Sequence, residues 1–235
     1  MTSRKLFFCL GFFLLFFAVA PVLADTQERY GIYQNDQKLL LQILKGAEAD
    51  LAKDPGNTNA LKRAGIASHQ LALFYGDGYA QKALIHLQAI VDKDRNDAVA
   101  LAYLGSSYAL VARDASVIMD KVSNVNKGLS LVNRAVRTAP QDFVVRMVRG
   151  SVIFELPSMF KKAELAIEDF SYVESLFDNL PDVKDIDVPM LKAEVYYKLG
   201  SLKKEKGDKD AASAYFKKSM DAAPNSQWAR LAKKE

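Results

Sequence analysis

The chain contains few residues that form covalent or metal links: among its 235 residues are one cysteine, one tryptophan and two histidines. The cysteine, Cys9, lies so early that a chain beginning at Asp25 has no thiol and can form no disulfide. Such a chain must rely on an ordinary apolar core, for which about 210 residues suffice. Disulfide-stabilised small folds and thiolate zinc sites are therefore excluded for that part.

Long apolar runs are also scarce, since the sequence has only one, at residues 6–20. It follows two basic residues and precedes small side chains, Val22 and Ala24, in the pattern of a secretory signal peptide. The run is shorter than the roughly 20 residues of a spanning helix, which favours cleavage near Ala24 over an uncleaved anchor. We expect residues 1–24 to be a signal peptide and residues 25–235 to be one mature domain without membrane insertion.

Neither sign of charge dominates the chain, which has 32 Lys and Arg against 28 Asp and Glu. Nucleic-acid binding needs a concentrated basic face, and a nearly balanced exported protein does not offer one. We therefore expect no nucleic-acid partner.

Alternation of apolar and polar residues is rare, and Ala, Leu, Lys and Glu dominate, which predicts helices and no sheet. The stretch DQKLLLQILKGAEADLAKDPGN is typical of one amphipathic helix that ends at Pro55. We expect this helix to precede the rest of the domain.

The segment that follows Ala193 has large and small residues at regular spacing. Counting Ala193 as position 1, glycine and alanine (Gly200, Ala212) occupy positions where two helices must approach closely. Large residues at positions 4, 7 and 24 would fill the space between the helices, Gly207 and Asp208 would separate them, and Pro224 would end the second. These large residues are Tyr196, Leu199 and Phe216. This pattern resembles the tetratricopeptide repeat, a 34-residue helix-turn-helix unit.

One such unit cannot bury its own apolar face, and three looser copies precede it. The glycines at position 8 are Gly65, Gly105, Gly150 and Gly200, which lie 40, 45 and 50 residues apart. About six extra residues near 75–80 and about eleven at 112–122 separate the two helices of the first and second copies. The resemblance implies an all-α, tetratricopeptide-like superhelix of about four helix pairs, with long inter-helix inserts and an N-terminal helix.

Residues capable of catalysis or metal binding are few. His69 and His86 each stand in an apolar helical run, where a histidine is usually a packing residue, and no base is expected beside Ser106. The acidic stretch 92–103 resembles a calcium loop but lacks its glycine and its bidentate glutamate, so we interpret its acids as helix caps. We therefore predict no enzyme activity, no cofactor and no metal.

In the tetratricopeptide repeat family, which this chain resembles, the first helices of the repeats line a concave groove, and this implies where a partner would bind. Aromatic, methionine and small polar side chains at those positions suit a peptide or protein surface. The residues so implied are Lys62, Ile66, His69, Tyr103, Ser106, Met147, Ser151, Phe154, Tyr197, Ser201 and Lys204. The resemblance thus predicts binding without naming the ligand.

The signal peptide and the repeats together predict an exported scaffold or adaptor, periplasmic or secreted, that binds another envelope protein or peptide. Two alternatives remain open at this point. One is a small-molecule carrier, with the inserts around residues 111–127 and 177–190 folding over the groove as a lid. The other is a structural module that associates with itself.

Overall fold

The computed structural model describes residues 36–76, 78–157, 160, 162–179 and 187–235. This part of the chain folds into ten α-helices and a short 3-10 turn and contains no strand, which confirms the all-α prediction. The helices are α1 (Gln37–Lys53), α2 (Thr58–Phe74), α3 (Tyr79–Lys93), α4 (Ala98–Asp114), α5 (Ile118–Thr138), α6 (Phe143–Phe154), α7 (Ala163–Ser175), α8 (Val188–Glu205), α9 (Lys209–Ala222) and α10 (Gln227–Ala232). The predicted signal peptide lies outside the described residues. None of the described helices is long and apolar enough to cross a membrane.

The helices form four consecutive pairs, from α2 with α3 to α8 with α9, and each second helix contacts the first helix of the next pair. One continuous apolar core extends from Leu61 in α2 to Leu202 in α8. Helix α1 packs on α2 through a separate cluster, and α10 packs on α8 and α9. The predicted stack of four pairs with an N-terminal helix is thus confirmed, whereas α10 was not predicted.

The position-8 glycines bring the two helices of each pair close together. A Cβ on Gly105 would lie 2.7 Å from the carbonyl oxygen of Gly128, and a Cβ on Gly128 would lie 2.6 Å from that of Gly105. Helices α4 and α5 therefore cross with backbone against backbone. In the other pairs the glycine faces a large side chain of the second helix: Gly65 faces Leu87, Gly150 faces Phe170 and Gly200 faces Phe216.

Short polar side chains begin most of the helices. Seven described helices start with an aspartate, asparagine or serine whose side chain accepts a backbone N–H of the first turn, as at Asp36, Asn57, Asp97, Asp142, Asp187, Asp208 and Ser226. Asp97 accepts from the amide of Ala100 at 2.9 Å, so this acid of stretch 92–103 is a helix cap, as predicted. Gly207 separates α8 from α9 with a φ of +83°, a left-handed conformation that favours glycine.

The extra residues at 112–122 form helix and not a loop. Helix α4 continues to Asp114 and α5 begins at Ile118, so only three residues connect them and α5 is 21 residues long. Most of the segment 111–127, proposed as part of a lid, thus belongs to the ends of α4 and α5, and the lid itself stays a prediction. The second segment proposed as a lid, 177–190, lies mostly outside the described residues.

Candidate functional site: an aromatic cleft on the last two helix pairs

An open cleft of about 480 Å³ lies on the C-terminal half of the molecule. Helices α6 and α8 provide most of its lining, and the residues that follow α10 close one side. The lining residues are Phe154, Tyr197, Ser201, Lys204, Glu205 and Glu235. Four of these six are residues that the sequence predicted for the groove.

Aromatic rings in mutual contact form the floor of this cleft. The ring centroids of Phe154 and Tyr197 are 6.5 Å apart in an edge-to-face arrangement. Tyr197 also contacts Trp228 of α10 at 5.7 Å and Phe216 of α9 at 6.0 Å. Because such contacts hold the rings in place, the floor is a preformed apolar surface.

A buried ammonium group supports the floor from below. Lys198 is only 4% exposed, and its Nζ donates to Ser151 Oγ at 2.9 Å and pairs with Glu194 at 2.6 Å. The same Nζ lies 5.6 Å from the ring centroid of Phe154 and 5.5 Å from that of Trp228. A buried charge with this many partners fixes the two rings relative to α8. Ser151, predicted for the groove, therefore contributes to the floor indirectly, by accepting a hydrogen bond from Lys198.

The rim of the cleft carries charges of both signs. Lys204 Nζ lies 2.5 Å from a carboxylate oxygen of Glu235, and Glu205 adds a second acid. Ser201 Oγ donates to the carbonyl oxygen of Tyr197 at 3.0 Å, so this hydroxyl can still accept a hydrogen bond from a ligand. An apolar floor with a mixed-charge rim suits an apolar side chain flanked by polar or charged groups.

The structure separates the remaining predicted groove residues from this cleft. Ile66, His69, Tyr103, Ser106 and Met147 are all buried inside the first three pairs. Lys62 is partly exposed, but its Nζ pairs with Asp97 at 3.1 Å. Their part in a groove stays a prediction.

His69 and Ser106 form a buried pair, so the expectation that no base lies beside Ser106 is wrong. His69 Nε2 lies 2.8 Å from Ser106 Oγ, although 37 residues separate the two in sequence. Burial lowers the pKa of His69 to about 3, so its imidazole is neutral at physiological pH. A base of such low pKa accepts protons poorly near neutrality, and the pair is closed to solvent. The ring of His69 packs edge-on against that of Tyr103, with 5.1 Å between the ring centroids, so the pair is part of the core.

Sequence reasoning missed two lining residues of the cleft, Glu205 and Glu235, and also Trp228, whose ring contacts Tyr197 of the floor. The last two lie beyond position 34 of the final repeat, where the repeat frame says nothing. A signal was available in the capping serine, Ser226, followed by QWARLA, which has the composition of a short helix with one apolar face.

Comparison with known proteins supports the repeat and the fold. A family model described as tetratricopeptide repeat matches residues 193–226. No curated protein matches the chain in sequence. Among solved structures, the chain is similar to TTC0263, a thermophilic TPR protein of Thermus thermophilus, with 18% identity over 84% of this chain and 95% of that one and a TM-score of 0.62. It is also similar to YrrB, described as a TPR protein with an unusual peptide-binding site, with 17% identity over 84% and 85% and a TM-score of 0.50.

Proposed function

Because the chain contains a tetratricopeptide repeat at residues 193–226 and has the fold of tetratricopeptide repeat proteins, we propose that it is a non-catalytic scaffold that binds a protein or peptide. The binding site is the aromatic cleft of the last two helix pairs. The partner is another protein of the cell envelope, and the scaffold acts after export, in the periplasm.

The observation that carries this proposal is the cleft itself, an open space of about 480 Å³ with an aromatic floor and a charged rim. It has the size and chemistry to hold one apolar side chain of a peptide together with its polar neighbours. The fold is shared with YrrB, whose description names a peptide-binding site, which supports a peptide as the class of ligand.

Export rests on the sequence of residues 1–24, which has the basic start, apolar run and small residues of a signal peptide. N-terminal sequencing of the protein purified from its own cells tests this part. A mature chain that begins at Asp25 and fractionates with the periplasm is the expected result. An intact N-terminus in the cytoplasmic fraction would refute export while leaving peptide binding open.

Binding is tested by affinity capture from the cell envelope with the chain that begins at Asp25. Truncating Phe154 or Tyr197 would damage packing as well as binding, because both rings contact the core. Lys204→Glu is the sharper variant, since it places a third acid at the rim on an exposed side chain. Lys217→Glu, an equally large charge reversal on an exposed face of α9, is the matched control.

A partner captured by the wild type and by Lys217→Glu, but lost with Lys204→Glu, is the expected result. Trp228 provides a second readout, because it is the chain's single tryptophan and lies 5.7 Å from Tyr197. Addition of a peptide of the captured partner should change the fluorescence of Trp228, and this change should saturate with increasing peptide concentration. A partner that binds both charge variants equally, with no change in that fluorescence, would place the binding elsewhere and refute the cleft as the site.

A further inference from the structure

A second, much smaller pocket adjoins the aromatic cleft. Its volume is about 50 Å³, and its walls come from the end of α6, the connection from α6 to α7, the first residue of α7 and the end of α8. Its apolar lining includes Ile153, Phe154, Leu156, Phe160, Ala163 and Leu202. We call this space the side pocket.

Two residues connect the side pocket to the cleft. Phe154 and Glu205 belong to the lining of both spaces. The ring of Phe154 also contacts that of Tyr197 on the floor of the cleft, with 6.5 Å between the ring centroids. A ligand that lies against Phe154 in the cleft is therefore next to the side pocket.

Packing against the core holds the walls of the side pocket in place. Ile153 and Leu202 are each 4% exposed and belong to the continuous core. Leu156, Phe160 and Ala163 are partly buried and pack against that core. The side pocket is therefore preformed, which is the usual state of a binding pocket.

The size of the side pocket limits the group that it can hold. A water-sized sphere needs about 10–15 Å³ of such space, so a volume of about 50 Å³ accommodates about three to five heavy atoms. An apolar cavity that binds benzene has about three times this volume. The side pocket therefore fits the short aliphatic side chain of a valine, leucine or isoleucine and excludes an aromatic ring.

Charged residues of opposite sign complete the lining. They are Lys162, just before α7, and Glu205, at the end of α8. An ammonium group donates hydrogen bonds and a carboxylate accepts them, so the two can bind the C=O and N–H groups of a peptide main chain. A hydrocarbon ligand would use neither group. The lining thus favours a peptide segment whose side chain enters the pocket.

We propose that the side pocket is a second subsite for the peptide that binds in the cleft, and that it takes a short aliphatic side chain. This inference rests on the proposed function and specifies its ligand. The peptide carries two apolar side chains a few residues apart, a large one on the floor of the cleft and an aliphatic one in the side pocket. Phe154 lies between them. Ala163 is the smallest residue of the lining, so it determines how large the second side chain can be.

The first test selects peptides from a random library displayed on phage, with the chain that begins at Asp25 as the immobilised target. The wild type should select two apolar positions at a fixed spacing, one of them restricted to valine, leucine and isoleucine. Ala163→Leu, which fills the side pocket, should abolish that restriction and keep the other apolar position. Ala98→Leu is the matched control, because Ala98 is also the first residue of its helix and packs partly buried against the same core. It should keep both positions.

The second test measures the affinity of one selected peptide through the fluorescence of Trp228. Replacing the aliphatic residue of the peptide by alanine should weaken binding to the wild type about tenfold, because the side pocket is left empty. Replacement by phenylalanine should weaken it at least as much, because the ring does not fit. With Ala163→Leu, the alanine replacement should have little effect, since the side chains of the two residues compete for the same space. If Ala163→Leu does not fold, the two replacements measured on the wild type decide the question.

Three results would overturn the second subsite. They are a selected motif with one apolar position, a motif that Ala163→Leu leaves unchanged, and equal affinity for phenylalanine at the aliphatic position. If the selected peptides still change the fluorescence of Trp228 and are lost with Lys204→Glu, the cleft remains a peptide site and only this inference fails. Selection of no peptide, or of peptides that Lys204→Glu binds equally well, would count against the proposed function as well.

Discussion

The neutral buried imidazole of His69 predicts a loss of stability in mild acid. His69 is 4% exposed, and burial lowers its pKa from the ordinary 6.5 to about 3. Between these two values the unfolded chain binds a proton at His69 and the folded protein does not. Since the folded-state pKa lies below the unfolded one for a base, stability is fully present above pH 6.5 and falls as the pH drops towards 3.

The magnitude follows from the distance between the pH and the unfolded pKa. A pH of 5 lies about 1.5 units below the pKa of the histidine in the unfolded chain, and each unit corresponds to about 1.36 kcal/mol. Lowering the pH from 7.5 to 5 should therefore remove about 2 kcal/mol of the free energy of unfolding through this one residue.

Urea unfolding followed by circular dichroism at pH 7.5 and pH 5 measures this loss. His69→Gln is the comparison, because glutamine is neutral at both pH values and can still hydrogen-bond Ser106. The wild type should lose about 2 kcal/mol more than the variant on acidification. His86, whose pKa is also lowered by burial, is present in both proteins and cancels in the comparison. Equal losses in the two proteins would refute the assignment of a buried, neutral His69.

Three further predictions concern packing and titration. Gly128→Ala places a Cβ 2.6 Å from a backbone oxygen of α4 and should lower the free energy of unfolding by more than about 2 kcal/mol, measured with urea. Gly46→Ala, whose Cβ would have nothing within 4 Å, should raise the free energy of unfolding by up to about 1 kcal/mol. A tolerated Gly128→Ala would contradict the close crossing of α4 and α5. Asp169→Asn removes the buried charge that pairs with Arg149 at 2.7 and 2.8 Å and with Arg146 at 3.0 Å, which leaves these guanidinium groups only the exposed Glu168 as a counter-charge. It should lower stability by about 3 kcal/mol in the same assay, and a neutral effect would refute the importance of the pair. Burial and a hydrogen bond to a glutamate raise the pKa of Tyr215 to about 12. In an ultraviolet titration at about pH 11, the wild type should therefore keep one more tyrosine protonated than Tyr215→Phe does. Equal numbers of protonated tyrosines in the two proteins would contradict the raised pKa.

The fold could be predicted because the repeat makes one strict physical demand. Two helices that cross closely need a residue without a side chain at the crossing, and Gly65, Gly105, Gly150 and Gly200 satisfy that demand once in each pair. Their spacing therefore located the four pairs, even where the other positions of the frame are loose. The extra residues near 112–122 are visible in the same spacing, but a count cannot distinguish a loop from longer helices.

The candidate site could be predicted only in part, because burial depends on neighbouring repeats. Position within a repeat places Ile66, Tyr103 and Met147 on the inner face, yet successive first helices contact one another there and bury these side chains. Beyond the last pair only the short α10 packs against α8, so Tyr197 stays partly exposed and Lys204 stays exposed. The contact of His69 with Ser106 crosses between repeats, which no frame within one repeat describes.

The separate packing of α1 has a mechanical consequence. Helix α1 is held mainly by the small cluster that it shares with α2, whereas the continuous core begins at α2 and runs to α8. A force applied at the N-terminal end of α1 acts first on that helix, and we expect it to detach at a cost below that of global unfolding. The residues that line the cleft belong to α6, α8 and the residues after α10, whereas α1 packs on α2. Tension at the N-terminal end is therefore absorbed before it reaches the cleft, which keeps its shape while the first helix yields.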